Sequence, residues 1–101
     1  MQLNKPATSG TMDSCDISIR IENNTGTENE VFLSSIVEKQ YGKQIVALIH
    51  EVLKKHQIKG VTVNAVDRGA LDCTIKARLE SAIYRGLGKE HALDWSVIDH
   101  E

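Results

Sequence analysis

Asp16-Ile17-Ser18-Ile19-Arg20-Ile21-Glu22 alternates polar and apolar positions along its whole length. Three isoleucines on one side of a period-two segment predict a half-buried strand. Asn23-Asn24-Thr25-Gly26 follows with residues that tolerate φ > 0, and predicts a turn. A second strand is predicted over Glu30 to Ser34, pairing back on the first as a hairpin. Its Val31-Phe32-Leu33 does not alternate, so the pattern leaves its register open. Ser35-Ile36-Val37-Glu38 then fits the Ser-x-x-Glu capping box of a helix start. Behind it Val37, Tyr41, Ile45, Leu48, Ile49, Val52 and Leu53 recur at three- and four-residue spacing, the signature of an amphipathic helix. Lys54, Lys55 and His56 fall in its last turns, where the helix dipole favours positive charge, and Gly60 is expected as its C-cap. Gly42 inside the helix costs about 1 kcal/mol relative to Ala and marks an irregular first turn or kink.

Val61-Thr62-Val63-Asn64-Ala65-Val66 reads as another strand, ended by Asp67-Arg68-Gly69. The segment 71–87 fits two patterns. Leu71, Ile75, Leu79, Ala82, Ile83 and Leu87 trace a helical face, whereas Leu71, Cys73, Ile75 and Ala77 alternate as in a strand. Helix is preferred, because Ala, Leu, Arg and Glu dominate and the segment is long for a strand. Asp72 and Lys76 form a favourable i,i+4 pair on it, and Gly86 and Gly88 end it. The predicted order is β-β-α-β-α. That is a two-layer α+β fold in which two helices cover one face of a small sheet of three or four strands. Residues 1–14 show no periodicity and read as a flexible, poorly packed arm. Residues 15–88 form the domain, and 89–101 form a tail that is polar apart from Leu93, Trp95, Val97 and Ile98.

The 101 residues suit one domain. Aromatics are only 4% of the chain, so the core is expected to be aliphatic. A formal net charge of −2 argues against a general nucleic-acid binder, which needs a basic face for phosphates. No apolar stretch approaches the roughly 20 residues that cross a membrane, and the first residues are polar rather than signal-like. Two cysteines make no disulfide framework. Together these features predict a soluble, cytoplasmic domain without nucleic-acid or membrane partners.

Candidate chemistry is sparse. His50, His56, His91 and His100 match no metal-ligand spacing with Cys or carboxylates and read as surface histidines. No glycine-rich phosphate loop is present. Cys73 reads as a small core residue rather than a nucleophile. Lys39, Lys43, Lys54, Lys55 and Lys59 could make a basic stripe, but Glu38 and Glu51 interrupt it, and no aromatic platform or GxxG loop accompanies it. Nothing points to catalysis by this chain alone. The most informative local feature is Thr11-Met12-Asp13-Ser14-Cys15-Asp16, which sets a serine between acidic residues at the joint of arm and strand. A hydroxyl there is reachable by a modifying enzyme while the strand fixes its root; the plain alternative is a loop serine opening a strand.

Taken in order, several segments resemble the acyl carrier protein of citrate lyase, its gamma subunit. They are Pro6-Ala7, Gly10-Thr11, Asp13-Ser14 and Asp16-Ile17, then Ser35-Ile36-Val37-Glu38-Lys39-Gln40-Tyr41-Gly42 and Gly60-Val61, then Asp67-Arg68-Gly69-Ala70-Leu71-Asp72-Cys73 and Ala77-Arg78-Leu79-Glu80. Cys15 departs from the pattern, which leads one to expect a small residue such as Gly after the serine. The tail beyond Leu87 matches only loosely, around Trp95. The resemblance implies that Ser14 carries 2′-(5″-phosphoribosyl)-3′-dephospho-coenzyme A through a phosphodiester, added by a holo-carrier synthase. It implies a carrier rather than a catalyst, working with an alpha transferase subunit and a magnesium-using beta lyase subunit. An acetyl thioester on the arm is exchanged for citryl, which is cleaved to oxaloacetate with the acetyl form regenerated. The net reaction is citrate to acetate and oxaloacetate. Trp95, Val97 and Ile98 are expected to pack on a neighbouring subunit or on the chain's own core. Two rivals stand beside this reading: a carrier of citramalate lyase or malonate decarboxylase, and an unmodified small α+β interaction or RNA-binding module.

Overall fold

A computed structural model describes residues 3–35 and 38–88, with the backbone alone for 38–40. Its elements run β1 (Ala7–Ser9), β2 (Ile17–Asn23), β3 (Glu30–Ser35), α1 (Glu38–Lys55), β4 (Val61–Asp67) and α2 (Asp72–Gly86). The strands form one mixed sheet in the order β1-β2-β4-β3. β2 pairs antiparallel with both neighbours, its register with β4 running from Ile17 opposite Asp67 to Asn23 opposite Val61. β3 runs parallel to β4, with α1 as the crossover that a parallel pair requires.

Alternation explains the centre of the sheet. Ile17, Ile19 and Ile21 of β2 and Val61, Val63 and Ala65 of β4 are all buried on the side that the helices cover. From α1 come Ile45, Ile49, Val52 and Leu53, and from α2 Ile75, Leu79, Ala82 and Ile83. The core is aliphatic throughout, and the single Phe, Phe32, is exposed. The two-layer α+β class and the helical reading of 71–87 are what the sequence predicts. Among the described residues, no helix is long and apolar enough to cross a membrane.

Four local expectations are corrected. First, β2 and β3 are not a hairpin, because β4 lies between them. The Asn-rich loop carries the chain over the end of β4 instead. Asn24 donates its backbone N–H to the Gly60 carbonyl at 2.8 Å, and Asn29 grips the same segment, its side chain donating to the Ile58 carbonyl and accepting from the Val61 N–H. In β3, Val31 and Leu33 are half-buried against the core while Phe32 faces away, which settles its register. Second, Gly60 is not the C-cap of α1. Gln57 takes the left-handed conformation, at φ 58°. Its N–H donates to the Lys54 carbonyl and that of Ile58 to the Leu53 carbonyl, the Schellman arrangement. Burying Ile58 beside Leu53 explains why the chain turns there, although Gln is a poor choice for φ > 0.

Third, the amino-terminal stretch is packed. Ala7–Ser9 pairs with β2, and Leu3 and Ala7 are buried. The N–H groups of Asn4 and Lys5 both donate to the Gly86 carbonyl at the end of α2, at 2.7 and 3.1 Å. Asn23 holds Leu3 in the same way, accepting from its N–H and donating to its carbonyl. Three strand residues behind Pro6 are too few to show a period, so pattern alone could not reveal them. Fourth, Tyr41 is half exposed although it falls on the predicted apolar face of α1. The Ser35–Glu38 capping box and the contacts of Trp95, Val97 and Ile98 involve side chains outside the described residues, as do His91 and His100.

Candidate functional site

β1 and β2 are joined by a short loop whose conformation is set residue by residue. Gly10 opens it at φ 88°, and a Cβ there would collide with the Ile17 carbonyl oxygen, so only glycine fits. At the far end Asp13-Ser14-Cys15-Asp16 forms a tight turn, the Asp16 N–H donating to the Asp13 carbonyl at 3.2 Å. Cys15 has φ 63° while Ser14 is not among the residues of positive φ, which is the sign pattern of a type II turn. Ser14 therefore occupies the first corner, and its side chain is exposed.

The turn runs into a β-bulge. The Cys15 N–H donates to the Arg68 carbonyl at 2.8 Å, and the Arg68 N–H donates to the Asp16 carbonyl at 2.9 Å. Two residues thus stand opposite one, with the first in the left-handed region, a position normally given to glycine. That is the physical basis of the departure noted at Cys15: the geometry asks for Gly where this chain has a thiol. Bulges of this kind re-aim the chain, and here the result is to lift Ser14 off the end of the sheet.

A charged clamp fixes the root of the turn. Asp16 is buried, and both its carboxylate oxygens are engaged by Arg78 of α2, Nε at 3.0 Å on Oδ1 and Nη2 at 3.0 Å on Oδ2. The Thr11 hydroxyl donates to Oδ2 at 2.7 Å, the Thr11 N–H reaches the same oxygen, and the Ile17 N–H donates to Oδ1. The Thr11 hydroxyl, the Arg78 guanidinium and the Ile17 N–H hold the Asp16 carboxyl well below the usual carboxylate range. Thr11 Oγ1 also accepts from the Asp13 N–H, which closes the ring of bonds around the serine. Beneath it Asp67 is buried, accepting from the Ser35 hydroxyl and the Ala70 N–H.

Directly after Arg68 in the chain, the loop following β4 and the first turns of α1 and α2 enclose a cleft of about 360 Å³, lined by Tyr41, Gln44, Ile45, Gly69, Ala70, Leu71 and Asp72. Leu71 is 70% exposed there and Met12, two residues before Ser14, is 52% exposed. Among the described residues, three of the four large apolar side chains left in solvent (Met12, Tyr41 and Leu71) thus belong to the β1–β2 loop or to this cleft.

The other candidate residues do not join this site as expected. Cys73 is exposed on α2 rather than in the core, because Ile75, Leu79, Ala82 and Ile83 fix the buried face and Cys73 falls away from it. His56 is not a plain surface histidine. Its Nε2 lies 2.8 Å from Glu80 Oε2, and its ring packs edge-on to Tyr84. His50 is exposed, as are Lys43, Lys54, Lys55 and Lys59. Sequence reasoning missed Gly10, Thr11, Asp16, Arg68 and Arg78 as parts of the serine platform. Only a Gly beside a strand and an Asp with a hydroxyl five residues earlier hinted at it.

Ser14 thus stands at an exposed corner with a braced root and an arginine across the bulge. The family model described as malonate decarboxylase delta subunit (MdcD) matches residues 4–86. The citrate lyase acyl carrier protein of Latilactobacillus sakei subsp. sakei (strain 23K) is 56% identical over 100 residues, covering 98% of this chain and 96% of that one. That of Oenococcus oeni (strain ATCC BAA-331 / PSU-1) is 46% identical over 99 residues, covering 97% and 100%. Among solved structures, a protein from Thermus thermophilus superposes with a TM-score of 0.53 at 14% identity, over 87% of this chain and 16% of that one. Staphylococcus aureus RNase P protein gives 0.50 at 15% identity, over 77% and 80%. At such identities the two structures speak to the fold alone.

Proposed function

The chain belongs to the citrate lyase acyl carrier protein family, and we propose that it is the acyl carrier of a citrate lyase, bearing its prosthetic group on Ser14. The observation that carries the reading is the placement of Ser14. It is an exposed hydroxyl at the first corner of a type II turn whose root is tied to α2 and to the end of β4. The group is 2′-(5″-phosphoribosyl)-3′-dephospho-coenzyme A, joined through Ser14 Oγ by a holo-carrier synthase. When bound it supplies a terminal thiol for acyl transfer, and the protein supplies position.

Each residue of the platform then has a task. Gly10 lets β1 turn away from Ile17, Asp16 and Arg78 hold the turn against α2, and Arg68 closes the bulge. A firm root limits the volume that the tethered end explores, which keeps its local concentration high at the active sites of its partners. Those partners are the alpha transferase and beta lyase subunits, and the cleavage of citrate to acetate and oxaloacetate belongs to them. This chain is a carrier and contributes no catalytic residue.

A second reading has one observation in its favour, the description of the matching family model, which points to a carrier of malonate decarboxylase. The near full-length relatives favour citrate lyase. The test is to replace the chromosomal copy by Ser14→Ala in cells growing on citrate and to assay extracts for citrate cleavage. Loss of cleavage with the other subunits still present is the expected result. Intact citrate cleavage with loss of malonate decarboxylation transfers the protein to the second reading, and no change in either removes the carrier role of Ser14.

A further inference from the structure

Two arginines stand at the serine turn, and the fold uses the side chain of only one. Arg78 is committed to both oxygens of Asp16. Arg68 is exposed, and its guanidinium makes no hydrogen bond or ion pair among the described residues. Its backbone, in contrast, is fixed on both sides, bonded at 2.8 Å to Cys15 and at 2.9 Å to Asp16. The residue is therefore anchored directly across from the two residues that follow Ser14, and its long side chain is uncommitted. Paired strands stand about 5 Å apart, less than the length of an extended arginine side chain.

The charges of the turn sharpen this. Asp16 is neutralised by Arg78, and Asp67 is buried and occupied by Ser35 and Ala70. Among the described residues, that leaves Asp13 and Arg68 as the unengaged acid and base flanking Ser14. A phosphodiester on Ser14 adds a negative charge one residue from Asp13, where like charges repel. We infer that the Arg68 guanidinium binds the phosphodiester oxygens of the group on Ser14, offsetting Asp13 and setting the direction in which the arm leaves the protein. Arginine suits this task because its planar fork donates two parallel hydrogen bonds to a phosphate, which lysine cannot do. The inference rests on Ser14 being the attachment point.

The test uses full-length protein in its unmodified and modified forms, the modification being verified by intact mass. In ¹⁵N-labelled protein the Arg68 Nε–Hε signal shifts between the two forms, while that of Arg20, which lies within β2 and pairs with Glu22, does not. The ³¹P signal of the diester moves in Arg68→Ala and moves less in Arg68→Lys. An exposed pair of this kind is worth up to about 1 kcal/mol, or about fivefold in an equilibrium. The folding constant of the modified form relative to the unmodified form therefore drops by up to about fivefold in Arg68→Ala. This difference fades near 1 M salt, where the screening length is about 3 Å. An Arg68 signal that does not shift on modification, together with a ³¹P signal unmoved in Arg68→Ala, overturns the role of Arg68 and leaves the attachment standing. A wild type that gains no mass at Ser14 overturns both.

Discussion

Cys15 is the one residue of the serine turn whose side chain opposes the backbone it sits on. At φ 63° a non-glycine residue carries a penalty of about 1–2 kcal/mol from the approach of Cβ to the following carbonyl. Its thiol is exposed, so no packing offsets that penalty. Cys15→Gly removes it, at the cost of the extra freedom glycine has in the unfolded chain, about 0.5–1 kcal/mol. The midpoints of the two ranges leave a net gain of about 0.75 kcal/mol. For a domain of this size 1 kcal/mol moves Tm by about 4–8 °C, so a rise of about 3–6 °C is predicted. The assay is thermal and urea unfolding under reducing conditions, with the urea m-value unchanged to show that the native state itself has been stabilised. Cys15→Val is the counterpart, because β-branched residues are poorly tolerated at positive φ, and it should lower Tm. A Cys15→Gly protein less stable than wild type would refute the assignment of strain to this turn.

Three further outcomes follow from neighbouring residues. Gly10→Ala combines positive φ with a collision of the new Cβ against the Ile17 carbonyl oxygen, and should cost about 2–4 kcal/mol in urea unfolding; a loss under about 0.5 kcal/mol would contradict the geometry. Ser9 Oγ is buried without a hydrogen-bond partner among the described residues, so Ser9→Ala should be neutral or stabilising by up to about 1 kcal/mol. Asp16 titrates below its unfolded value of about 3.9, so its contribution is complete at neutral pH and is lost as pH falls through the acid range. The urea midpoint of wild type should accordingly fall between pH 5 and pH 2, and that of Asp16→Asn should start lower and fall less; parallel curves would show that the clamp carries no proton linkage.

What the chain made legible was what repeats. β2 and β4 alternate over their length, and α1 and α2 keep a helical period, so their existence and buried faces follow from the residues themselves. Pairing partners were harder. β2 meets β4 through a register of isoleucines and valines, which a local turn signal at Asn23–Gly26 could not outweigh. β1 was hidden because three residues between Pro6 and Gly10 carry no period. The site divides in the same way. Ser14 was visible as a serine between acids ahead of a strand, and the oddity of Cys15 was visible through the family resemblance. The clamp was not, because Asp16 and Arg78 are 62 residues apart and nothing local marks them as partners. Nor was Arg68, whose backbone is paired across the bulge while its guanidinium makes no bond among the described residues.

Whether Ser14 bears the prosthetic group is read first from the intact mass of the protein purified from its own host during growth on citrate, with Ser14→Ala measured alongside. The expected result is a gain equal to the phosphoribosyl-dephospho-coenzyme A group in the wild type and none in the variant. An unmodified wild type from cells with active citrate lyase, or the same gain in Ser14→Ala, would contradict it.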